Sequence, residues 1–353
     1  MHIHDLETPA VVIDLDVMEA NIRRGQDLVS AAGIAMRPHI KTHKIPAIAR
    51  LQIEAGAVGL TCQKLTEAEA FIDAGVTDDI LISYNIVGRR KTDRLMALSE
   101  RMRRLAVVAD NEVVVRGLSE AGAEAGREIP VLVEIDTGFG RNGAQSPEDA
   151  VKLARLITDL PGTRFDGLMG YPNRAPEAAG FYARTLDLLS ADGLEAATVS
   201  GGGTPALLTL DRFPMLTEHR VGTYVYNDRM MVAAGYATPE ACAMTVRATV
   251  VSVPDPNDRA IVDAGSKVLT QEQHGLDGFG DVREFPSVLV RGMSEEHGIL
   301  DLSRSDRTPK VGDIVAIVPN HACVVSNLTD TVYGVRGDRV EVTWPVAARG
   351  ATR

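Results

Sequence analysis

Gly33-Ile34-Ala35-Met36-Arg37-Pro38-His39-Ile40-Lys41-Thr42-His43-Lys44-Ile45 is an apolar run that passes through a basic loop into a second run, 45–55, with helical spacing. The segment before Arg37 reads as a short strand and the segment after Lys44 as a helix. Two histidines, two lysines and an arginine crowd into the eight residues between them. A lysine at the end of a strand can point its amine into a cleft beyond the sheet. Partial desolvation there keeps it a free amine near neutral pH, which a Schiff-base lysine requires. A solvated basic loop is the other reading of the same residues, and the rest of the chain decides between them.

Outward from this unit the same beat repeats. Strand-like runs fall at 34–39, 58–63, 80–85, 105–110, 131–136, 165–171, 197–200 and 219–226. Helix-like segments fall at 45–55, 67–74, 93–102, 112–125, 147–160 and 176–191. Asp16 is placed to cap a helix over 17–32 that closes at Gly33. Thr66 and Glu69 have capping-box spacing, and Ser146-Pro147 sets a proline just inside a helix. Short apolar strands alternating with helices predict parallel βαβ units, and eight of them predict an α/β fold with a closed (β/α)8 TIM-like barrel. A Rossmann sheet competes, but no G-x-G-x-x-G joins a strand to a helix, and Gly201-Gly202-Gly203 comes only at the seventh unit. From Cys242 the pattern changes to strands at 243–253, 260–264, 287–291, 314–319, 331–335 and 339–343. Turn signals separate them at Pro254-Asp255-Pro256-Asn257-Asp258, Lys310-Val311-Gly312-Asp313 and Arg336-Gly337-Asp338. The expected domains are a barrel over 16–236 and a mostly β domain from 237–353, with 1–15 supplying a strand to it.

Composition narrows the partners. The 353 residues are 45% hydrophobic and 24% charged, ordinary for a globular protein, and the net charge is −11. No Lys/Arg run is long enough to track a phosphate backbone, so nucleic acid and anionic membranes are set aside. No stretch approaches the roughly 20 apolar residues of a membrane span, and the N-terminus has no apolar signal region. Cys62, Cys242 and Cys323 are too few and scattered for a disulfide framework. A cytoplasmic protein is expected.

In such a barrel the chemistry collects at the C-terminal strand ends. Those ends carry His39-x-Lys41-x-His43, Cys62-Gln63-Lys64, Tyr84-Asn85, Asp136-Thr137-Gly138-Phe139-Gly140-Arg141, Tyr171-Pro172-Asn173, Ser200-Gly201-Gly202-Gly203-Thr204 and Tyr224-Val225-Tyr226-Asn227-Asp228. The glycine turn before Pro205 offers backbone N–H groups free of side-chain bulk, as a phosphate site needs, or it is a flexible turn. Arg141 can reach inward to an anionic or phenolic oxygen, or lie exposed. Tyr171 can face a cofactor ring or complete the barrel rim. A phosphate cradle with an inward lysine suggests pyridoxal 5′-phosphate (PLP). Farther on, His321-x-Cys323 follows an apolar strand. In a strand, residues i and i+2 share a face, so an imidazole and a thiol make half a site for zinc or a similar divalent ion, or a structural pair.

These residues carry a resemblance. The chain resembles the fold-type III PLP enzymes, in the D-threonine aldolase and D-serine dehydratase group related to alanine racemase. The matching motifs span nearly the whole length: Glu7-Thr8-Pro9, Arg37-Pro38-His39-x-Lys41-Thr42-His43-Lys44, Glu134-Ile135-Asp136-Thr137-Gly138, Ser200-Gly201-Gly202-Gly203-Thr204, Gly222-Thr223-Tyr224-Val225-Tyr226-x-Asp228 and Pro319-Asn320-His321-x-Cys323. The resemblance implies that Lys41 carries PLP, and that Gly202, Gly203 and Thr204 hold its phosphate. It places Arg141 on the phenolic-oxygen side and Tyr171 near the pyridine ring. Gln63, Ser200 and Tyr226 join them as cofactor-binding candidates. It also implies a divalent metal (Mn2+, Mg2+ or Zn2+) on His321 and Cys323, with His321 catalytic.

Two departures stand out. Aldolases of this group typically show His-Cys-Asp, whereas dehydratases show His-x-Cys, as here. Many relatives carry Gly-His soon after the tyrosine, where this chain has Tyr171-Pro172-Asn173-Arg174. The expected activity is a PLP- and metal-dependent lyase on small β-hydroxy-D-amino acids, a D-threonine aldolase by whole-chain resemblance. The alternative is a dehydratase of D-serine or D-3-hydroxyaspartate that yields a 2-oxo acid and ammonia. A racemase, which needs a second base and no metal, and a non-catalytic PLP carrier, which lacks the β domain, are further alternatives. Relatives occur as homodimers or monomers.

Overall fold

The computed structural model describes residues 1–173, 176–256 and 258–353. Arg174, in the second departure, and Asn257, in the first turn signal, lie outside the described residues. The chain groups into two compact units. Residues 24–41, 48–222 and 351–353 form one, and residues 1–23, 42–47 and 223–350 the other. The sequence draws these borders at 16 and 237.

Strand β1 (Ala10–Asp14) leads into helix α1 (Leu15–Ala31). The carboxylate of Asp14, not Asp16, takes the Val17 N–H at 3.0 Å, because the helix begins two residues earlier than its pattern predicts. The barrel unit then alternates β2 (Ala35–Met36), α2 (Pro46–Glu54), β3 (Leu60–Cys62), α3 (Leu65–Asp73), β4 (Asp79–Asn85), α4 (Arg89–Ser99), β5 (Arg104–Ala109), α5 (Glu112–Glu124), β6 (Ile129–Asp136), α6 (Pro147–Asp159), β7 (Thr163–Tyr171), α7 (Pro176–Ala191), β8 (Thr198–Gly202) and β9 (Glu218–Arg220). The parallel strands lie in the order β2-β9-β8-β7-β6-β5-β4-β3. The curled sheet meets itself: Val58 N–H donates to Met36 O at 2.9 Å, Thr61 N–H donates to Pro38 O at 2.7 Å, and His39 bridges Thr61. Leu81, Ala106, Val108, Leu132 and Met169, from four neighbouring strands, pack into one buried cluster. Ser146 caps α6 with Pro147 behind it, as its sequence predicts. Helix α3 instead starts at Leu65, and Glu67 takes the N–H groups of Gln63 and Lys64 at 2.8 and 3.3 Å; the Thr66/Glu69 box is displaced by two residues.

Arg37 belongs to the frame. It is buried and paired at 2.7 Å with both Asp79 and Glu218, while Arg104 joins Asp79 (3.0 Å) to Asp166 (2.5 Å). Asp79, Arg104 and Glu218 open β4, β5 and β9, so this network lies at the strands' N-terminal ends, away from the end where barrel chemistry collects.

The second unit carries α8 (Arg229–Ala233), β10 (Met244–Ser252), β11 (Arg259–Val262), β12 (Gly280–Val282), β13 (Val290–Met293), β14 (Gly298–Asp301), β15 (Ile314–Pro319), α9 (Ala322–Leu328), β16 (Thr331–Arg336) and β17 (Arg339–Pro345). Its sheet runs β13-β14-β11-β10-β1-β16-β17, with β15 pairing β10 and β12. The opening strand β1 pairs antiparallel with β10 and parallel with β16, as its apolar run predicts. Ile3, Leu6, Ala10, Val12 and Val335 bury a small core beside it.

Candidate active site

The barrel unit presents the cofactor candidates. Lys41 sits in a single helical turn (Ile40–Thr42) after β2, and its N–H donates to His39 Nδ1 at 3.4 Å. The side chain is half-buried, and among the described residues no hydrogen bond or ion pair engages its amine. The neighbouring lysines are occupied. Lys44 donates to Asn327 Oδ1 at 2.8 Å, and Lys64 Nζ lies 3.3 Å above the Tyr84 ring. His39 is fastened in turn to Gln63 (3.0 Å) and Ser83 (3.3 Å). Gln63 is held at both ends, since its Nε2 donates to Ser83 O at 3.0 Å. It steadies the Lys41 turn through His39.

The glycine turn is tightly specified. A Cβ on Gly201 meets Leu216 at 2.6 Å, and one on Gly202 meets Arg220 Nη2 at 2.9 Å and Tyr171 at 3.3 Å. Gly203 has φ +115°, and a Cβ there would lie at ordinary contact distance, 3.7–3.9 Å, from Tyr171, Ala206 and Pro172. The Gly202 and Gly203 N–H groups are engaged by Asn173 Oδ1 (2.6 Å) and Arg220 O (3.0 Å). Ser200 is engaged too: its hydroxyl donates to Glu218 at 2.7 Å and accepts from Arg220 at 2.6 Å. Thr204 keeps its N–H and hydroxyl free among the described residues. Arg220 is buried beneath this turn and also donates to Gly170 O at 2.9 Å. Its importance is not evident from sequence, although a charge inside the apolar run 219–226 is a signal that it must be paired. Arg141 stands half-exposed, 5.4 Å from the Tyr171 ring and 3.6 Å from Glu134. Burial pushes the Glu134 carboxyl up, against the pull of Arg141 and Arg220. An unpaired amine, a glycine turn at positive φ and the free donors of Thr204 fit PLP and its phosphate.

The second unit holds Tyr226, His321 and Cys323. Tyr226 is fully buried and its hydroxyl has no hydrogen-bond partner among the described residues. His321 is not in a strand: it is the N-cap of α9, and Cys323 lies in that helix's first turn. The strand-face argument therefore does not describe the pair, because the chain turns helical directly after β15. The two side chains still interact, since Cys323 favours the charged form of the His321 imidazole. Cys323 Sγ lies 3.2 Å from Thr42 Oγ1. His321 Nδ1 meets the Glu272 carboxylate, which His274 Nε2 also meets at 2.8 Å. Burial works against a charge on His321, but Cys323, Glu272 and Asp228 outweigh it and push its pKa up to about 10. Asp228 caps α8 and α9 together, taking the N–H groups of Met231 and Ala322 at 3.0 Å each, and burial pushes its carboxyl up to about 6. An imidazole with thiol, carboxylate and second imidazole close by is a donor set that suits a divalent ion.

Family profiles cover both units. The alanine racemase N-terminal domain matches residues 13–230, and the serine dehydratase domain matches residues 243–335. A D-threonine aldolase from Arthrobacter sp. is 36% identical, across 99% of this chain and 94% of its own. The chain belongs to the D-threonine aldolase/D-serine dehydratase family of fold-type III, alanine racemase-like enzymes. Solved members share the fold: the D-threonine aldolase of Filomicrobium marinum superposes with a TM-score of 0.89 at 36% identity, covering 99% of this chain and 97% of that one. The D-threo-3-hydroxyaspartate dehydratase of Delftia sp. HT23 also gives 0.89, at 31% identity and 98% coverage of both chains. A variant of that dehydratase with a cysteine changed to alanine is described in a metal-free form. The family's aldolases and dehydratases are both lyases. No helix among the described residues is long and apolar enough to cross a membrane.

Proposed function

We propose that this family member is a PLP- and divalent-metal-dependent lyase acting on β-hydroxy-D-amino acids, of the D-threonine aldolase type. The observation that carries the reading is Lys41: in a stretch where every other cation is paired, its half-buried amine alone has no partner among the described residues. Lys41 anchors the cofactor's aldehyde carbon. Thr204, next to Gly203, takes the phosphate. Tyr171 and Arg141 border the ring, and Tyr226 offers a buried hydroxyl in want of an acceptor or donor. His321 and Cys323 supply the metal's imidazole and thiol. The barrel domain, 16–236, carries PLP in this reading, and 1–15 with 237–353 carries the metal. When bound, PLP withdraws electrons from Cα and the ion lowers the pKa of the substrate's β-hydroxyl. Loss of the hydroxyl proton then breaks Cα–Cβ and a proton is returned to Cα, so that D-threonine gives glycine and acetaldehyde. Three cysteines that form no disulfide accord with a reducing, cytoplasmic setting.

Cys323 favours a second reading. Loss of the Cα proton with departure of the hydroxyl converts D-threonine to 2-oxobutanoate and ammonia, the dehydratase outcome. Incubation of the purified protein with D-threonine and D-serine, with Mn2+ or Zn2+, separates the two. The aldolase reading expects glycine and acetaldehyde in equal amounts. Oxo acid and ammonia as the main products replace it with the dehydratase.

A further inference from the structure

Glu272, His274 and His321 bring one carboxylate and two imidazoles together, with their donor atoms all within 4.8 Å of one another. The sequence pairs His321 only with Cys323, two residues away. The other two donors come from the loop before β12, some fifty residues upstream. That loop is fastened at the right place. The buried Asn320, next to His321 in the chain, donates through Nδ2 to Glu272 O at 2.9 Å and to Gly278 O at 3.0 Å. Glu272 N–H donates to Thr270 Oγ1 at 3.0 Å, which ties down the backbone that carries the carboxylate. His274 adopts φ +49°, a left-handed backbone that non-glycine residues seldom take without a reason. In this conformation its ring stands edge-on to the His321 ring, with centroids 5.5 Å apart. A single oxygen, Glu272 Oε2, faces both imidazoles at once. A cation between the three groups would take the place of the N–H protons that the two rings direct at that oxygen.

We propose that Glu272 and His274 are direct ligands, with His321, of a divalent cation in this chain. This rests on the reading of His321 as a metal ligand and enlarges its partner set. Two imidazoles and one carboxylate are a known Zn2+ donor set; with the Cys323 thiol they make four protein donors, and a first-row ion that takes five or six ligands keeps positions open. The open positions accept a small oxygen ligand such as an alcohol, alkoxide or water.

X-ray absorption at the zinc edge of the zinc-loaded holoenzyme counts the imidazoles directly. Two, at the usual Zn–N distance of about 2.0–2.1 Å, are expected. One imidazole, with His274→Ala unchanged in spectrum, overturns the proposal and leaves His321 as a ligand. No zinc bound by the wild type refutes the underlying reading as well. Titration of stripped protein with Zn2+ and Mn2+ supplies an independent measure. His274→Ala and Glu272→Gln should each weaken binding by at least about tenfold, the least that losing even an outer-shell partner brings. Glu272→Asp should retain most of it. Wild-type affinity in both His274→Ala and Glu272→Gln overturns the proposal. Their side chains are 44% and 45% exposed, so the variants should keep their melting temperature and PLP absorbance.

Discussion

At the scale of single residues, the contrast between Lys41 and Lys44 is the sharpest. Both lie in one basic loop, yet Lys44 is buried against Asn327 while the Lys41 amine has no partner among the described residues. Lys41→Ala should abolish the visible absorbance of bound PLP, and borohydride reduction followed by peptide mapping should label Lys41. A label on Lys44 or Lys64 would remove the basis of the assignment. The lysine was legible in sequence because a strand end followed by a helix fixes where it stands. Arg37, four residues earlier in the same motif, is structural: its partners Asp79 and Glu218 are distant in the chain, and only the closed barrel brings them to it. Glu272 and His274 were invisible for the same reason, since nothing local marks them as neighbours of His321.

At the scale of elements, the parallel strands were legible because strands covered on both faces read as continuous apolar runs. Strands β12 and β14 were not: each opens on glycine, and they hold only three and four residues. Helix α9 was hidden by Val324 and Val325, β-branched residues that argue for a strand until Asp228 caps the turn before them. The glycine turn tests the cofactor reading at this scale. Gly203→Ala adds a methyl against Tyr171, Ala206 and Pro172 and forces an alanine to φ +115°. We expect about 1–3 kcal/mol of lost stability from the backbone strain, and a larger relative loss of PLP affinity measured by fluorescence titration. PLP affinity equal to wild type would detach this turn from the phosphate.

At the scale of the whole molecule, two buried groups set stability. Arg37→Ala leaves Asp79 and Glu218 buried without their shared cation, which should cost about 3–5 kcal/mol in urea unfolding. The product ratio of the surviving folded enzyme should stay unchanged, since the network lies at the far ends of the strands. His219 is fully buried, and burial first of all depresses its pKa to about 4. The unfolded chain then binds the proton more readily than the native one. Stability is thus complete above about pH 6.5 and falls as pH drops from 6.5 toward 4, by on the order of 3 kcal/mol. His219→Gln should flatten that part of the pH profile in denaturant melts; an unchanged slope assigns it to other groups. The central claim is that cleavage of a β-hydroxy-D-amino acid needs both PLP and a divalent ion. Its most direct test is glycine release from D-threonine and L-threonine by protein dialysed against EDTA, before and after Mn2+ or Zn2+ is restored. The account predicts retained PLP absorbance, negligible release after dialysis, recovery with metal, and cleavage of the D-isomer alone. Full release from metal-free protein, verified by elemental analysis, or equal cleavage of the L-isomer would contradict it.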